Sequence, residues 1–410
     1  MDERFYVADE RFYETDEERR RRRRALIERM KREKKRALFL QRVVFPAGMA
    51  LLVAVIVIGI LVRGRADAGQ GDRAMDMTVA GQTGGWSAIR QWMELENEQA
   101  AAGSGDNAQF PADTAPGEVQ PTTARPAPKL FQAVETGSTA GFADTIVSEY
   151  GVVIDVEQGV ILAEKDARTK MSPASMTKIL TVLTAAEALG ITRENWGTLP
   201  VLDEKFTITI EITDYCFVNG CSNVGFEVGE EVTVRDLFYG TILSSGADAA
   251  LGLACYVAGS HEDFVGLMNE KLSAMGLADT THFTNCVGIY DKDHYSTAYD
   301  IAVILKMASD NPFCRAVLST HTYNIPSTNA HPEGMSISNW FLRRIEEKDT
   351  HGRVLCGKTG YVKQSRSCAA SLATDENGRE YICVTAGSSG TKQCISDHAE
   401  LYQTWLPGGN

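Results

Sequence analysis

The sequence predicts an α+β domain, in which an antiparallel sheet packs against a helical region, and a single transmembrane helix that precedes it. Strand-like segments occur near both ends of the C-terminal part, and segments with helical periodicity lie between them. The membrane helix is predicted because residues 43–62 carry no charge. With 410 residues, of which 44% are hydrophobic, the chain can also build a sizeable core.

Residues 43–62, VVFPAGMALLVAVIVIGILV, have the length and composition of a membrane span. A helix of this length is about 30 Å long, which matches the thickness of a bilayer core. Upstream, 13 Lys and Arg residues lie between Arg19 and Arg42, whereas only Arg63 and Arg65 follow closely. Because positive flanks stay in the cytoplasm, we expect the N-terminus inside and the C-terminal part outside.

The N-terminal flank forms a basic cytoplasmic tail. Residues 1–42 carry 15 Lys and Arg against 10 Asp and Glu. A DERFY repeat at residues 2–6 and 9–13 fits either a disordered segment or a docking motif for a cytoplasmic partner. The Ala-Asp-Ala at residues 66–68 resembles a signal-peptidase site, but the apolar run is longer than a usual signal segment. We therefore expect an uncleaved anchor in the lipid bilayer.

Composition also separates a linker from a folded domain. Residues 63–140 are rich in Gly, Ala, Thr, Gln and Pro, and we expect a flexible extracytoplasmic linker there. Residues 141–410 then form the domain that carries the chemistry. Residues 66–410 hold 24 basic and 44 acidic side chains, which argues against nucleic-acid binding because that needs a basic surface.

The order of elements in the domain follows from local patterns. SEYGVVIDVEQGVILAEKD predicts two strands joined at residues 157–159, and MSPASMTKILTVLTAAEALG predicts a helix. In GEEVTVRDLFYGTILSSGADAALGLACYVAG, Thr233 and Asp236 suit a capping box, and the helix breaks at residues 245–246 before it resumes to Ala258. Three late strands, at VLCGKTG and at residues 367–373 and 380–386, precede a terminal helix, CISDHAELYQTWL.

The nine cysteines and seven histidines do not form a metal-binding pattern. No HExxH or CxxC occurs, so we expect neither a metal ion nor another cofactor. The odd number of cysteines leaves at least one unpaired within the chain. Cys216 and Cys221 flank a turn-like FVNG, which allows either a local disulfide or two free thiols.

A Ser-x-x-Lys motif lies at the start of the first helix. The spacing of three brings Ser175 and Lys178 onto one face of the first turn. A serine hydroxyl needs an adjacent base to act as a nucleophile, and a neutral lysine amine can serve. The pKa of that amine must then fall from about 10.4 to about 7, a preference against charge of roughly 4–5 kcal/mol. The motif is weak alone, because a second copy occurs at residues 389–392.

A Lys-Thr-Gly triplet lies at the end of a late strand. Lys358 could bind a substrate carboxylate and lower the pKa of the first lysine. Gly360 would let an extended peptide approach the strand closely. Taken alone, Lys358, Thr359 and Gly360 fit a strand that ends in a turn equally well.

The combination of motifs is far more specific than its parts. SxxK at a helix start, Ser245 in a helix break some 70 residues later and KTG on a late strand form the signature of penicillin-recognising serine enzymes. Over roughly residues 146–390 the chain resembles the low-molecular-mass penicillin-binding proteins, the serine D-alanyl-D-alanine carboxypeptidases. The flanking segments PASMTK, GEEVTVRDLFYGTILSSGADAA, THFTNCVGIYDKDHYSTAYDIA and KTGY resemble that family as well. The resemblance implies the penicillin-binding, serine β-lactamase-like transpeptidase fold.

The resemblance also implies catalytic roles. Ser175 would be the acylated nucleophile, Lys178 its general base, and Ser245 the serine that relays a proton to the leaving D-alanine. The implied reaction removes the terminal D-alanine from peptidoglycan stem peptides through an acyl-enzyme that water hydrolyses, which limits cross-linking. β-Lactam antibiotics would acylate the same serine.

Substrate binding is implied for the late strand. Lys358 and Thr359 would hold the terminal carboxylate, and Gly360 would leave room for the peptide. The backbone N–H groups of Ser175 and Tyr361 would hold the oxyanion, since preorganised amides are the usual source of that stabilisation.

The chain departs from the family pattern at Ala247. The family usually has Ser-x-Asn where this chain has Ser-Gly-Ala, and Asp248 matches an acidic residue that follows the Asn in many relatives. A literal Ser-Thr-Asn at residues 327–329 lies in a proline-containing loop, and we interpret it as a coincidence. Loss of the Asn amide removes about 1–3 kcal/mol of hydrogen bonding, roughly 5- to 150-fold. We therefore expect a working enzyme with altered affinity for substrate and β-lactams.

Two alternatives share the same motifs. A β-lactamase needs an added base for fast deacylation, and none can be placed in the sequence. A membrane-anchored sensor would be acylated by β-lactams and would signal through the basic tail. If the protein is a carboxypeptidase, we expect it to be a single-pass protein of a bacterial cell membrane with an extracytoplasmic catalytic domain.

Overall fold

A computed structural model describes residues 130–407 of the chain. The predicted tail, the transmembrane segment at residues 43–62 and most of the predicted linker lie outside the described residues. None of the helices within residues 130–407 has the length and hydropathy that a bilayer-spanning segment requires. Before the first strand, Ala133 is buried, and Val134 forms an isolated parallel bridge with Val160. This short stretch therefore packs against the domain.

A six-stranded sheet forms the centre of the domain. Its strands are Ala140–Gly141 (β1), Tyr150–Asp155 (β2), Val160–Lys165 (β3), Arg353–Val362 (β8), Arg366–Thr374 (β9) and Glu380–Ser388 (β10). Their order is β1-β3-β2-β10-β9-β8, so strands from both ends of the domain meet where β2 pairs with β10.

The prediction of a purely antiparallel sheet is wrong at one edge. Five strands pair antiparallel, but β1 pairs parallel with β3, and the sheet is therefore mixed. The chain reverses direction twice between these two strands, so they run the same way. β1 has only two residues, too few to show an alternating pattern in the sequence.

Nine α-helices, two short 3-10 helices and two small hairpins are the other elements of the described residues. The α-helices are Thr177–Ala188 (α1), Ile210–Asn219 (α2), Val234–Leu243 (α3), Ala247–Ala258 (α4), His261–Ala274 (α5), Ala298–Asp310 (α6), Pro312–Ser319 (α7), Trp340–Ile345 (α8) and Thr391–Trp405 (α9), and the 3-10 helices are Ala174–Met176 and Pro200–Asp203. The hairpins pair Lys205–Thr207 (β4) with Glu231–Thr233 (β5), and Thr322–Ile325 (β6) with Met335–Ser338 (β7).

Helices cover both faces of the sheet. α9 packs on β9 and β10 from one side, and α6 packs on β2, β9 and β10 from the other. Along β2, Val152 and Ile154 belong to the large core on the α6 side, whereas Val153 belongs to the smaller cluster under α9. A strand that is buried on both faces is apolar throughout, which is why β2 reads as a continuous hydrophobic run.

The predicted helix break separates α3 from α4. The capping box of Thr233 and Asp236 starts α3, as the sequence predicts, because each side chain binds the backbone N–H of the other residue. The sheet, α1 and this break then enclose one cleft, which holds the residues of the three motifs.

Candidate active site

Ser175 lies in a 3-10 turn, Ala174–Met176, that leads directly into α1. The backbone of Ala174 has a φ of 47°, in the left-handed region that non-glycine residues rarely adopt. Thr177 Oγ1 donates a hydrogen bond of 2.8 Å to the carbonyl oxygen of Ala174 and ties the turn to the helix. Such backbone strain costs about 1–3 kcal/mol and persists only where the surroundings enforce it.

Two glycines supply these surroundings. A Cβ on Gly288 would lie 2.0 Å from the carbonyl oxygen of Ala174 and 2.9 Å from the backbone nitrogen of Ser175. A Cβ on Gly360 would lie 2.9 Å from the same nitrogen. The turn is therefore held between a loop and strand β8 at distances that only glycine permits on both sides.

A buried histidine supports the turn from behind. His294 Nδ1 accepts the backbone N–H of Thr284 at 3.1 Å, so the ring proton lies on Nε2. Nε2 then donates to Thr177 Oγ1 at 2.9 Å, and that hydroxyl bonds the carbonyl of Ala174. Burial lowers the pKa of His294 to about 3, and the charges of His282 and Lys178 act in the same direction. The imidazole is therefore neutral and fixes the turn by hydrogen bonding.

Lys178 is almost completely buried, with 2% of its surface exposed. Its Nζ lies 3.2 Å from Ser175 Oγ and donates a 2.6 Å hydrogen bond to the carbonyl oxygen of Val287. Burial lowers the pKa of the Lys178 ammonium to about 8. An amine with this pKa, in contact with a serine hydroxyl, is a competent general base near neutral pH.

Ser245 lies at the break between α3 and α4 and also has a left-handed backbone, with a φ of 54°. Its Oγ accepts a 2.9 Å hydrogen bond from Lys358 Nζ, which also donates to the carbonyl oxygen of Thr359 at 2.8 Å. Burial, and then the charge of Lys178, hold the pKa of Lys358 well below its usual range. The two lysine amines thus share one poorly solvated region.

The Lys-Thr-Gly triplet lies on the edge strand of the sheet. Among the described residues, β8 pairs only with β9, and Lys358 lies opposite Ala370 there. Thr359 is partly exposed, and Tyr361 is 67% exposed. An edge strand has unpaired backbone groups, and an extended peptide can use them as partners.

The structure therefore brings the predicted residues into one cleft. Lys178 contacts Ser175, Lys358 contacts Ser245, and the charge of Lys178 contributes to the lowered pKa of Lys358. Gly360 and Tyr361 follow Lys358 on the same strand. The second SxxK, at residues 389–392, is different, because Ser389 precedes α9, Lys392 lies in its first turn, and both are exposed. Burial of the lysine is what distinguishes the two copies.

Ala247, the departure from the family pattern, is fully buried at the start of α4. Its backbone N–H donates to the carbonyl oxygen of Ser222 at 2.8 Å, so the segment after α2 covers this position. Asp248 cannot replace the missing amide, because its carboxylate accepts the backbone N–H groups of three successive residues, Val224, Gly225 and Phe226.

The literal Ser-Thr-Asn at residues 327–329 is engaged elsewhere. Asn329 Oδ1 accepts the N–H of Glu231, and its Nδ2 donates to the carbonyl of Gly229. Thr328 Oγ1 donates to the buried carboxylate of Glu230 at 2.7 Å. This triplet therefore binds the segment around β5.

Several residues of the cleft were not predicted as site residues. Val287 and Gly288 lie in the THFTNCVGIY segment, which carried the resemblance without an assigned role. Asn285 shapes that loop, since its Oδ1 accepts the N–H groups of Val287, Gly288 and Ile289. Asn-x-x-Gly is the one sequence signal that could have indicated a tight loop here.

Three thiols also lie close to Lys178. They belong to Cys221, Cys286 and Cys216, and only Cys221 has a lowered pKa; its thiolate form favours the charged amine. All nine cysteines are free thiols in the structure, so the local disulfide that the sequence allowed between Cys216 and Cys221 is absent from it.

Comparisons of sequence and of structure with known proteins indicate the same family. Residues 136–390 match the peptidase S11 family model, which is described as D-alanyl-D-alanine carboxypeptidase. The chain is 31% identical over 271 residues to the D-alanyl-D-alanine carboxypeptidase DacF of Bacillus subtilis, which covers 65% of this chain and 64% of DacF. It thus spans just under two thirds of the length of that relative.

A second relative is similar in both sequence and structure. The D-alanyl-D-alanine carboxypeptidase of Streptomyces sp. strain K15 is 31% identical over 278 residues, covering 65% of this chain and 89% of that protein. The crystal structure of the Streptomyces K15 DD-transpeptidase superposes with a TM-score of 0.56 at 29% identity. That superposition covers 64% of this chain and 98% of the other.

The family match extends over more than half of the chain and includes SxxK at residues 175–178, Ser245 and KTG at residues 358–360. The structural match adds the penicillin-binding, DD-peptidase fold, with its mixed sheet packed against helices. The chain therefore belongs to the peptidase S11 family of D-alanyl-D-alanine carboxypeptidases.

Proposed function

We propose that this protein is a serine D-alanyl-D-alanine carboxypeptidase that removes the terminal D-alanine from peptidoglycan stem peptides and is acylated by β-lactams. The observation that carries the proposal is the contact between a buried amine and the candidate nucleophile, Lys178 Nζ at 3.2 Å from Ser175 Oγ. Family membership and the adjoining Lys358–Ser245 hydrogen bond support it.

In the acylation step, Ser175 Oγ attacks the carbonyl carbon of the penultimate D-alanine. Neutral Lys178 takes the hydroxyl proton as the bond forms, and its lowered pKa makes this transfer accessible near pH 8. The backbone N–H groups of Ser175 and Tyr361 receive the developing oxyanion. The close approach of β8 to the Ser175 nitrogen supports this pairing.

Expulsion of D-alanine completes acylation. The C–N bond breaks, Ser245 passes its hydroxyl proton to the leaving amine, and the proton that Lys178 took from Ser175 replaces it, so Lys178 is neutral again. Lys358 Nζ lies 2.9 Å from Ser245 Oγ and orients this hydroxyl. Water then attacks the ester, with Lys178 again as the base, and regenerates Ser175. No atom beyond substrate and water is needed.

Substrate binding uses the edge strand. Lys358 and Thr359 hold the terminal carboxylate, and the peptide backbone lies along β8 next to Gly360. A β-lactam carries a carboxylate and an amide carbonyl at comparable positions, so it acylates Ser175 in the same pose. The buried Ala247 leaves this grip intact and removes only one amide donor.

Residues 43–62 anchor the protein in a bacterial cell membrane, with residues 1–42 in the cytoplasm and the catalytic domain outside. The support is the charge-free length of this segment and the excess of Lys and Arg before it. Residues 63–129 give the domain reach toward the peptidoglycan.

Labelling with a fluorescent penicillin, together with D-alanine release from a stem-peptide mimic, tests the function. We expect labelling and release for the wild type, and neither for Ser175→Ala. Ser389→Ala, in the exposed second SxxK, is the matched control and retains both. Labelling without release would instead indicate a β-lactam sensor, and rapid turnover of the penicillin a β-lactamase. Labelling of Ser175→Ala would refute the assignment of the nucleophile.

A further inference from the structure

Helix α2 ends in a motif that brings two cysteine side chains together. Gly220 takes a left-handed conformation, its N–H donates to the carbonyl of Phe217, and the N–H of Cys221 donates to the carbonyl of Cys216 at 2.9 Å. This pattern is a Schellman motif, in which the residue after the glycine contacts the residue five positions earlier. In this chain both positions are cysteine, and their thiols hydrogen-bond to each other.

The two thiols are chemically unequal. Cys216 is buried, with 3% of its surface exposed, whereas Cys221 is partly exposed. The hydrogen bond from Cys216 lowers the pKa of Cys221 and raises that of Cys216. Since the thiolate is the reactive form, Cys221 is the accessible attacking group and Cys216 the group that resolves the intermediate.

The pair also lies at the wall of the active site. Ser222, directly after Cys221, accepts the N–H of Ala247 at the helix break. The groups that titrate or carry charge around the Lys178 amine are Cys216 and Cys221 from α2 and its end, Asp248 from α4, Cys286 and His294 from the loop before α6, and Lys358 from β8. Cys221 heads the groups that favour the charged amine.

We propose that Cys216 and Cys221 form a redox-active dithiol site that reacts with low-molecular-mass disulfides and whose state changes acylation chemistry at Lys178; the second part rests on the proposed function. In the first step, the Cys221 thiolate attacks one sulfur of the disulfide, forms a mixed disulfide and expels one thiolate. Cys216 then loses its proton, attacks Cys221 Sγ and displaces the second thiol. Two cysteine thiols are oxidised to one disulfide, and the external disulfide is reduced to two thiols.

Oxidation removes the thiolate of Cys221, which favours the protonated amine, and leaves Asp248, Cys286, His294 and Lys358 in place. Cys216, whose pKa is raised, carries no charge in the reduced protein. The neutral form of Lys178 is then populated at lower pH. A displacement of about 0.5–1 pH unit is the size expected when one nearby charge is lost. At pH 6.5 we expect the oxidised protein to be acylated about three- to tenfold faster than the reduced protein.

The first experiment identifies the bond. The full-length protein is reduced, incubated with oxidised glutathione, alkylated and digested with trypsin. Residues 206–235 contain no internal Lys or Arg and only these two cysteines, so one tryptic peptide reports on the pair. We expect this peptide to lose two hydrogens and to escape alkylation. Full alkylation of both cysteines would overturn the dithiol site.

Three variants separate the steps. Cys216→Ser removes the resolving thiol, so Cys221 keeps one glutathionyl group. Cys221→Ser removes the attacking thiol, so the buried Cys216 stays unmodified. Cys255→Ser, at a partly exposed cysteine of α4, is the control and forms the link as the wild type does. Glutathione on Cys216 instead of Cys221 would contradict the assigned order.

The second experiment measures acylation by fluorescent penicillin from pH 6 to 9 in both redox states. We expect the rising limb of the oxidised wild type, and of reduced Cys221→Ser, to lie at lower pH than that of the reduced wild type. Identical limbs would refute the coupling to Lys178. If neither redox state is labelled, the proposed function fails, while the peptide masses still decide whether the dithiol exists.

Discussion

Lys358 Nζ donates a 2.9 Å hydrogen bond to Ser245 Oγ and thereby connects the edge strand β8 to the break between α3 and α4. Both partners are constrained, since Lys358 is buried and Ser245 has a strained backbone. This bond orients the hydroxyl that, in the proposed mechanism, passes its proton to the leaving amine.

Ser245→Ala removes that hydroxyl. We expect the second-order rate constant for penicillin acylation to fall about 10²-fold or more, the range typical of a lost proton-transfer group. Ser244→Ala, at the neighbouring C-cap of α3, is the matched control and keeps the rate within about twofold. A Ser245→Ala rate equal to that of this control would show that the hydroxyl does not transfer the proton.

The acylation rate depends on pH through Lys178. Its amine acts as a base only when neutral, and its pKa is about 8, so the neutral fraction rises as pH increases toward and past 8. We expect the acylation rate to increase about fivefold between pH 7 and pH 8 and then to level off. Stopped-flow labelling with fluorescent penicillin across this range measures how the acylation rate rises with pH. Unfolding is followed in parallel, so that a loss of folded protein is not mistaken for a change in rate. A flat profile from pH 6 to 9 would exclude Lys178 as the titrating base.

We expect Lys178→Met to abolish catalysis and to increase the stability of the folded protein. The folded pKa lies below the unfolded one, so at pH 7 the buried ammonium opposes folding, and this cost disappears as pH rises from about 8 to about 10.5. After loss of the hydrogen bond to Val287, we expect the free energy of unfolding to rise by about 1–3 kcal/mol at pH 7, with labelling abolished. Lys392→Met, in the exposed second SxxK, changes it by less than about 0.5 kcal/mol. A destabilised Lys178→Met protein at pH 7 would contradict the burial argument.

Gly288→Ala tests the support of the nucleophile turn. Gly288 and Gly276 both have a positive φ, 79° and 71°, but only a Cβ on Gly288 meets other atoms, those of Ala174 and Ser175. We expect Gly276→Ala to cost about 1–2 kcal/mol of stability and to leave labelling intact. Gly288→Ala carries the same strain and about 1–3 kcal/mol more, and it displaces Ser175. Chemical denaturation and penicillin labelling distinguish them, and equal labelling would mean that the close approach does not position the serine.

Ala247→Asn restores the usual family residue. We expect altered rates of acylation and D-alanine release, by up to about 150-fold, because the amide adds a hydrogen-bond donor at the α3–α4 break, two residues after Ser245. The side chain enters a fully buried position under Ser222, so a stability loss of about 1–3 kcal/mol accompanies it. Ala247→Val, similar in added volume without the amide, is the control. Kinetics of Ala247→Asn equal to those of the wild type would show that position 247 is neutral.

Most of the architecture follows from local sequence patterns. The hairpin of β2 and β3, the α3–α4 break and the late strands all have periodic or capping signals, and the structure has them within a few residues. The parallel edge strand β1 could not be predicted, because two residues carry no period. Its pairing depends on the path of the chain around β2 and β3.

The site residues that belong to sequence motifs could be predicted. The residues that reach the site only through tertiary contacts could not. Ser175 and Lys178 follow from a spacing of three along one helix. The partner of Lys178 is the backbone carbonyl of Val287, about 110 residues later, and no side-chain pattern encodes it. The grouping of Cys216, Cys221 and Cys286 likewise depends on how α2 and the loop after α5 pack near α1.

The position of the Lys-Thr-Gly triplet on an edge strand has a consequence for selectivity. Hydrogen bonds along a strand edge recognise the main chain of a bound peptide and its handedness. Peptide side chains that point away from the edge make no contact with the strand. The proposed enzyme would therefore be strict about a free carboxyl terminus and D-configuration, and tolerant of variation further along the stem peptide. It would recognise the end of a peptide more than its sequence.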